Sequence, residues 1–80
     1  MFGKDQRDPL ERALEGAAGL KAGTWESVET LSMLAIEISD RPEARELVAR
    51  ARAAAESLKS GAWDGTRALV WLARAIREVG

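Results

Sequence analysis

The chain has 80 residues, 46% of them hydrophobic and 31% charged, and its 12 basic and 13 acidic side chains leave a formal charge of −1. That mixture fits one folded domain rather than a disordered segment, and it offers no bulk attraction for nucleic acid or anionic lipid. No cysteine, histidine or tyrosine is present, which excludes disulfides and thiol chemistry and removes the commonest general base and the phenol.

Residues 1–7 are polar apart from Phe2 and show no periodicity, so a loose tail is expected there. They contain no apolar run long enough for a signal peptide or a membrane span, which makes the cytoplasm the expected compartment. Asp8-Pro9-Leu10-Glu11 then predicts a helix start. Asp8 can cap, Pro9 fits the first helical position, and Glu11 stands where a capping box places its carboxylate. At 100° per residue Leu10, Ala13, Leu14, Ala17 and Leu20 share one side of this first helix, and Gly23 is expected to end it. Thr24 predicts the cap of a second helix over about 25–39, with Val28, Leu31, Leu34, Ala35 and Ile38 inward. Ser39-Asp40-Arg41-Pro42-Glu43 reads as a stop and restart, with Asp40 as cap and Glu43 as its reciprocal carboxylate. A third helix is expected over about 42–60, inward through Ala44, Leu47, Val48, Ala51, Ala54, Ala55 and Leu58, and closed by Gly61. Asp64 is expected to cap a fourth helix over 65–79, with an inward stripe of Ala68, Leu69, Leu72, Ala73, Ala75, Ile76 and Val79. No stretch alternates with period two for long enough to form a strand. The fold class is all-α.

Displacing the sequence by 38 residues superposes it on itself. Arg12, Ala13, Ala17, Leu20, Lys21, Gly23, Trp25, Leu31, Leu34, Ala35 and Ile38 fall on Arg50, Ala51, Ala55, Leu58, Lys59, Gly61, Trp63, Leu69, Leu72, Ala73 and Ile76. The pairs are spaced in helical steps around a Gly-x-Trp-acid turn, so a 38-residue internal repeat of two tandem helical hairpins is expected, over 8–39 and 42–79 within a single domain of residues 8–80. The turn Lys59-Ser60-Gly61-Ala62-Trp63-Asp64 and its copy Lys21-Ala22-Gly23-Thr24-Trp25-Glu26 resemble the inter-helix turn of tetratricopeptide repeats. Ala35 and Ala73 match that family's small position in the second helix, and Gly16 one in the first. The resemblance implies a helical-hairpin scaffold for protein contacts. It transfers no binding residues, because the family's first-helix positions fall here on Arg12, Glu15 and Gly19.

Apolar residues off the inward stripes indicate where further contacts form. Met33 and Ile36 lie among Glu26, Glu29 and Glu37, where the following hairpin can cover them. Val70 falls between Arg74 and Arg77, nearly opposite the inward stripe, and Trp71 falls at its edge. No later helix is expected to cover this side, so Val70, Trp71 and Arg74, with Arg67, Arg77 and Phe2, form the expected protein interface. The expected partner is a second copy or a larger assembly, and head-to-tail self-association suits an acidic first half and a basic second half. The alternative is a small nucleic-acid-associated regulator using Arg41, Arg45, Arg50, Arg52, Arg67, Arg74 and Arg77. Glu43, Glu46, Glu56 and Glu78 interrupt that basic set.

For catalysis the inventory is poor, and no enzyme activity, cofactor or metal is expected. Lys21 and Lys59 occupy equivalent places near helix ends, where they are expected to meet terminal carbonyls. Glu26, Glu29 and Glu37 read as a solvated face rather than a cation site. No phosphate loop, zinc spacing or calcium loop occurs.

Overall fold

A computed structural model describes residues 8–19, 21, 23–59 and 61–80. Among them the only regular structure is four helices: α1 Pro9–Ala18, α2 Trp25–Glu37, α3 Glu43–Glu56 and α4 Trp63–Val79. The expected tail at 1–7, with Phe2, lies outside the described residues, as do Leu20, Ala22 and Ser60.

Local chemistry explains where the helices begin. Asp8 caps α1 through Oδ1, which accepts a hydrogen bond from the Glu11 amide at 3.0 Å. Pro9 follows at the first helical position, where its missing N–H costs nothing. The Glu11 carboxylate does not reach back to complete a capping box; it accepts from Arg41 at 3.0 Å instead. The full box forms on α2, where Thr24 Oγ1 accepts from the Ser27 amide and Ser27 Oγ accepts from the Thr24 amide.

Four expectations about helix ends are corrected. Helix α1 stops at Ala18 rather than near Gly23, because Gly16 and Gly19 lower helix propensity and Gly19 closes the last turn with a right-handed φ of −95°. Helix α3 stops at Glu56 rather than Ser60, turning into Ser57, whose Oγ donates to the Ala54 carbonyl. Its N-cap is Pro42, without any side-chain cap, so Asp40 and Glu43 do not form the expected pair. Helix α4 begins at Trp63, two residues early, and its N-cap Ala62 offers no side-chain acceptor; Asp64 Oδ1 accepts from the neighbouring Gly65 amide. The glycine expected at the α3–α4 turn is needed for its backbone: Gly61 has φ +125°, a conformation L side chains rarely adopt.

Helix α2 is the hub. Helices α3 and α4 both pack along it, whereas α1 touches it only over a short stretch. The core accordingly centres on α2: Val28, Ala35 and Ile38 are fully buried, against Ala44, Ala51, Ala68 and Ala75. The buried Ser32 resolves its hydroxyl locally, donating to the Val28 carbonyl at 2.7 Å. Alanine dominates the facing surfaces of α3 and α4, so helices approach closely but each contact buries little apolar area. Helix α1 contributes only Ala17 to the buried core, with Leu10 and Leu14 half-buried; Ala13, expected inward, is exposed. Two arginines of the second half tie α1 down. Arg41 pairs with Glu11, and Arg50 donates to the Ala17 carbonyl at 3.3 Å. The hydrogen bond and charge of Glu11 push the Arg41 guanidinium further above its already high pKa, so it stays cationic in the pair.

The joint between the halves is an indole. Trp25, at the start of α2, donates from Nε1 to the Lys59 carbonyl at 2.9 Å, across 34 residues of chain. Its ring lies on Gly65, where a Cβ would stand 3.0 Å from the ring carbon Cε2. Only glycine leaves room for that approach. Lys59 therefore serves through its backbone carbonyl; neither α1 nor α3 carries a basic residue in its last turn, because both helices end before Lys21 and Lys59.

Candidate interaction surface

The site is built on α4, whose inner side is committed to α2. Gly65, Ala68, Leu72 and Ala75 are buried there. Helical geometry turns the remaining residues outward: Trp63 and Val70 lie seven apart, hence almost in line, with Arg67, Arg74 and Arg77 interleaved. Trp63 is 88% exposed and Val70 65%. Beside this row, on the flank between it and the core, Leu69 and Ile76 are 38% and 37% exposed. Leu69, Ala73 and Ile76 were expected inward. They are exposed because none of the described helices packs against that flank; α3 meets α4 far less extensively than α2 does.

Val70, Arg67, Arg74 and Arg77 thus occupy the outer surface as the sequence indicates. Trp71 is half-buried instead. It lines a groove of about 350 Å³ with Thr30, Met33, Leu34 and Ile36 of α2, and the Arg74 guanidinium stands 5.8 Å from its ring centre. That distance is within cation–π range and holds the arginine over the ring. Met33 is 42% exposed on the other wall. Arg67 donates from Nε to Glu29 of α2 at 3.2 Å, an exposed pair that orients more than it stabilises. Phe2 lies outside the described residues.

Trp63 is the exposed aromatic that reading the sequence by amphipathicity misses. Placing the start of α4 at Gly65 put Trp63 in a turn, where no helical face could be assigned to it. The signal was nonetheless present in the 38-residue correspondence, which pairs Trp63 with Trp25.

Two further clefts flank α1. One, of about 470 Å³, lies between α1 and α3 and is lined by Leu14, Ile38 and Leu47 with Glu11, Arg41 and Arg50. The other, of about 430 Å³, lies between α1 and α2 and is lined by Ala13, Gly16, Ala17 and Leu31 with Lys21 and Ser27. Neither gathers a set of groups suited to proton transfer or nucleophilic attack. Among the described residues no group of three carboxylates could hold a metal ion, and no helix is long and apolar enough to cross a membrane. Comparison with protein-family models, curated proteins and solved structures gives no match to the chain.

Proposed function

We propose that the chain is a non-catalytic protein-interaction module, a small subunit or adaptor that engages its partner through the outer face of α4. The observation that carries this reading is the outer row of Trp63 and Val70 with the flanking Leu69 and Ile76, all exposed on one helix of an 80-residue chain. Apolar side chains contiguous along a helix, with a tryptophan and arginines among them, have the composition of a protein interface: Trp and Arg dominate binding energy where they become desolvated. Absence of histidine, cysteine and tyrosine supports a role without chemistry.

The test is a photocrosslinking amino acid at position 70 in the expressed chain. A crosslinked adduct of higher mass, lost on Trp63→Ala while helicity is kept, is the expected result. Absence of any adduct at position 70, with adducts formed equally well from a control position such as Arg52, overturns the proposal.

A second reading has one observation in its favour. From Gly65 to Arg77 helix α4 carries three arginines and no carboxylate, with Trp63 at its head, a pattern suited to a phosphate backbone. It requires binding to generic duplex or single strands that weakens steeply with salt. The apolar flank of Leu69 and Ile76 has no use in that reading, which places it second.

A further inference from the structure

The exposed residues of α4 are the 38-residue equivalents of the residues by which α2 holds the second half of the chain. Leu31, Ser32 and Ala35 of α2 and its C-cap Ile38 are buried and Trp25 is half-buried; their equivalents Trp63, Leu69, Val70, Ala73 and Ile76 on α4 are exposed, Trp63 and Val70 the most. Helix α1 presents the matching half. Leu47, Val48, Ala51 and Ala54 of α3 are buried, and their equivalents Pro9, Leu10, Ala13 and Gly16 of α1 are exposed or half-buried. Resting on the interaction-module reading above, we infer that the partner of α4 is a second copy of this chain. The α4 face of one copy seats α1 and α2 of the next, so that the internal joint is continued from molecule to molecule.

The internal joint supplies the template for the contact. Trp25 lies on Gly65 and donates to the Lys59 carbonyl. One repeat further on, Trp63 faces the α1–α2 cleft of the next copy, with the Lys21 carbonyl as acceptor and Ser27 in the place of Gly65. This cleft is open and about 430 Å³ in volume, and its walls of Ala13, Gly16 and Ala17 allow close approach. The hydroxymethyl of Ser27 keeps the ring farther from the backbone than glycine does, so the seat is shallower than that of Trp25. Charge agrees with the pairing. The α4 face carries Arg67, Arg74 and Arg77, whereas residues 9–37 hold Glu11, Glu15, Glu26, Glu29 and Glu37 against Arg12 and Lys21. Arg67 already bridges to Glu29 within the chain, and the repeat places that same type of pair, α4 arginine to α2 glutamate, across the joint between copies. The interface is heterologous: two different surfaces meet, and each copy retains one of each.

Sedimentation of the purified chain and two point variants tests this directly. The wild type is expected to rise above its 8.7 kDa monomer mass with concentration. Val70→Asp blocks the α4 face and Ala13→Asp the α1 face; both positions are exposed, and circular dichroism checks that both variants keep their helices. Each variant alone is expected to stay monomeric. Their equimolar mixture is expected to form a one-to-one heterodimer, because each supplies the surface the other lacks. The milder Trp63→Ala is expected to weaken association at least tenfold. A monomeric wild type at millimolar concentration overturns the inference, as does an Ala13→Asp variant that still self-associates, since that outcome means α4 meets α4. In either case, an adduct from position 70 leaves the interaction-module reading standing with a different partner or symmetry.

Discussion

At the scale of single residues, Trp25 shows how one contact joins two distant stretches of sequence. Its indole needs an acceptor and a flat seat; the Lys59 carbonyl supplies the first and Gly65 the second. Adding a methyl at Gly65 forces the ring away, at an overpacking cost of about 1–3 kcal/mol, against at most about 1 kcal/mol recovered in helix propensity. Gly65→Ala is therefore expected to destabilise the fold by about 1 kcal/mol in urea titrations. Gly16 is the opposite case, because a Cβ there meets nothing within 4 Å. Gly16→Ala is expected to stabilise by about 0.5–1 kcal/mol in the same assay. Destabilisation at Gly16, or none at Gly65, would show that helix propensity does not compete with packing in this way. Ile38 is almost fully buried at the end of α2, so Ile38→Ala is expected to cost about 2–4 kcal/mol.

Among the elements, the helices are unequally secured. The inward faces of α2 and α3 were legible, because their leucines, valines and alanines repeat at 3.6 and most of them are buried. Thr24 and Asp8 were legible as caps for the same local reason, since a side-chain oxygen three residues before an amide reaches it wherever the helix then goes. What the pattern did not carry was the amount of packing available to each face. Leu69 and Ile76 continue the inward stripe of α4 in sequence, yet none of the described helices stands against their side. Trp63 was obscured by the uncertain start of α4, where Asp64 resembled a cap and Ala62 did not. Helix α1 is the extreme case: ten residues, one buried side chain, and anchorage through Arg41 and Arg50. Its amides are expected to exchange with solvent at least tenfold faster than those of α2 near Val28 and Ala35, as measured by hydrogen exchange of the monomeric Val70→Asp variant. Equal protection would mean that α1 opens only with global unfolding. Thr24→Ala, which removes the box on α2, is expected to cost about 1 kcal/mol.

Taken whole, the molecule extends 46 × 25 × 17 Å, and its bare α4 face and bare α1 face belong to opposite ends of the helix order. Joining such unlike surfaces produces rings when the rotation between copies closes and open filaments when it does not. Growth by this route is expected to weaken several-fold between about 50 and 300 mM salt, because arginines of one end face glutamates of the other and screening shortens their reach; light scattering across that range checks it. The three tryptophans give the chain its own optical labels for such work. One is bonded to a carbonyl within the fold, one lies beneath a guanidinium, and Trp63 alone stands almost wholly in water. A soluble quencher such as acrylamide therefore finds one emitter first, and a protein free of tyrosine adds no tyrosine emission to the background. Loss of that easily quenched fraction as concentration rises would report occupancy of the α4 end without any dye or tag attached.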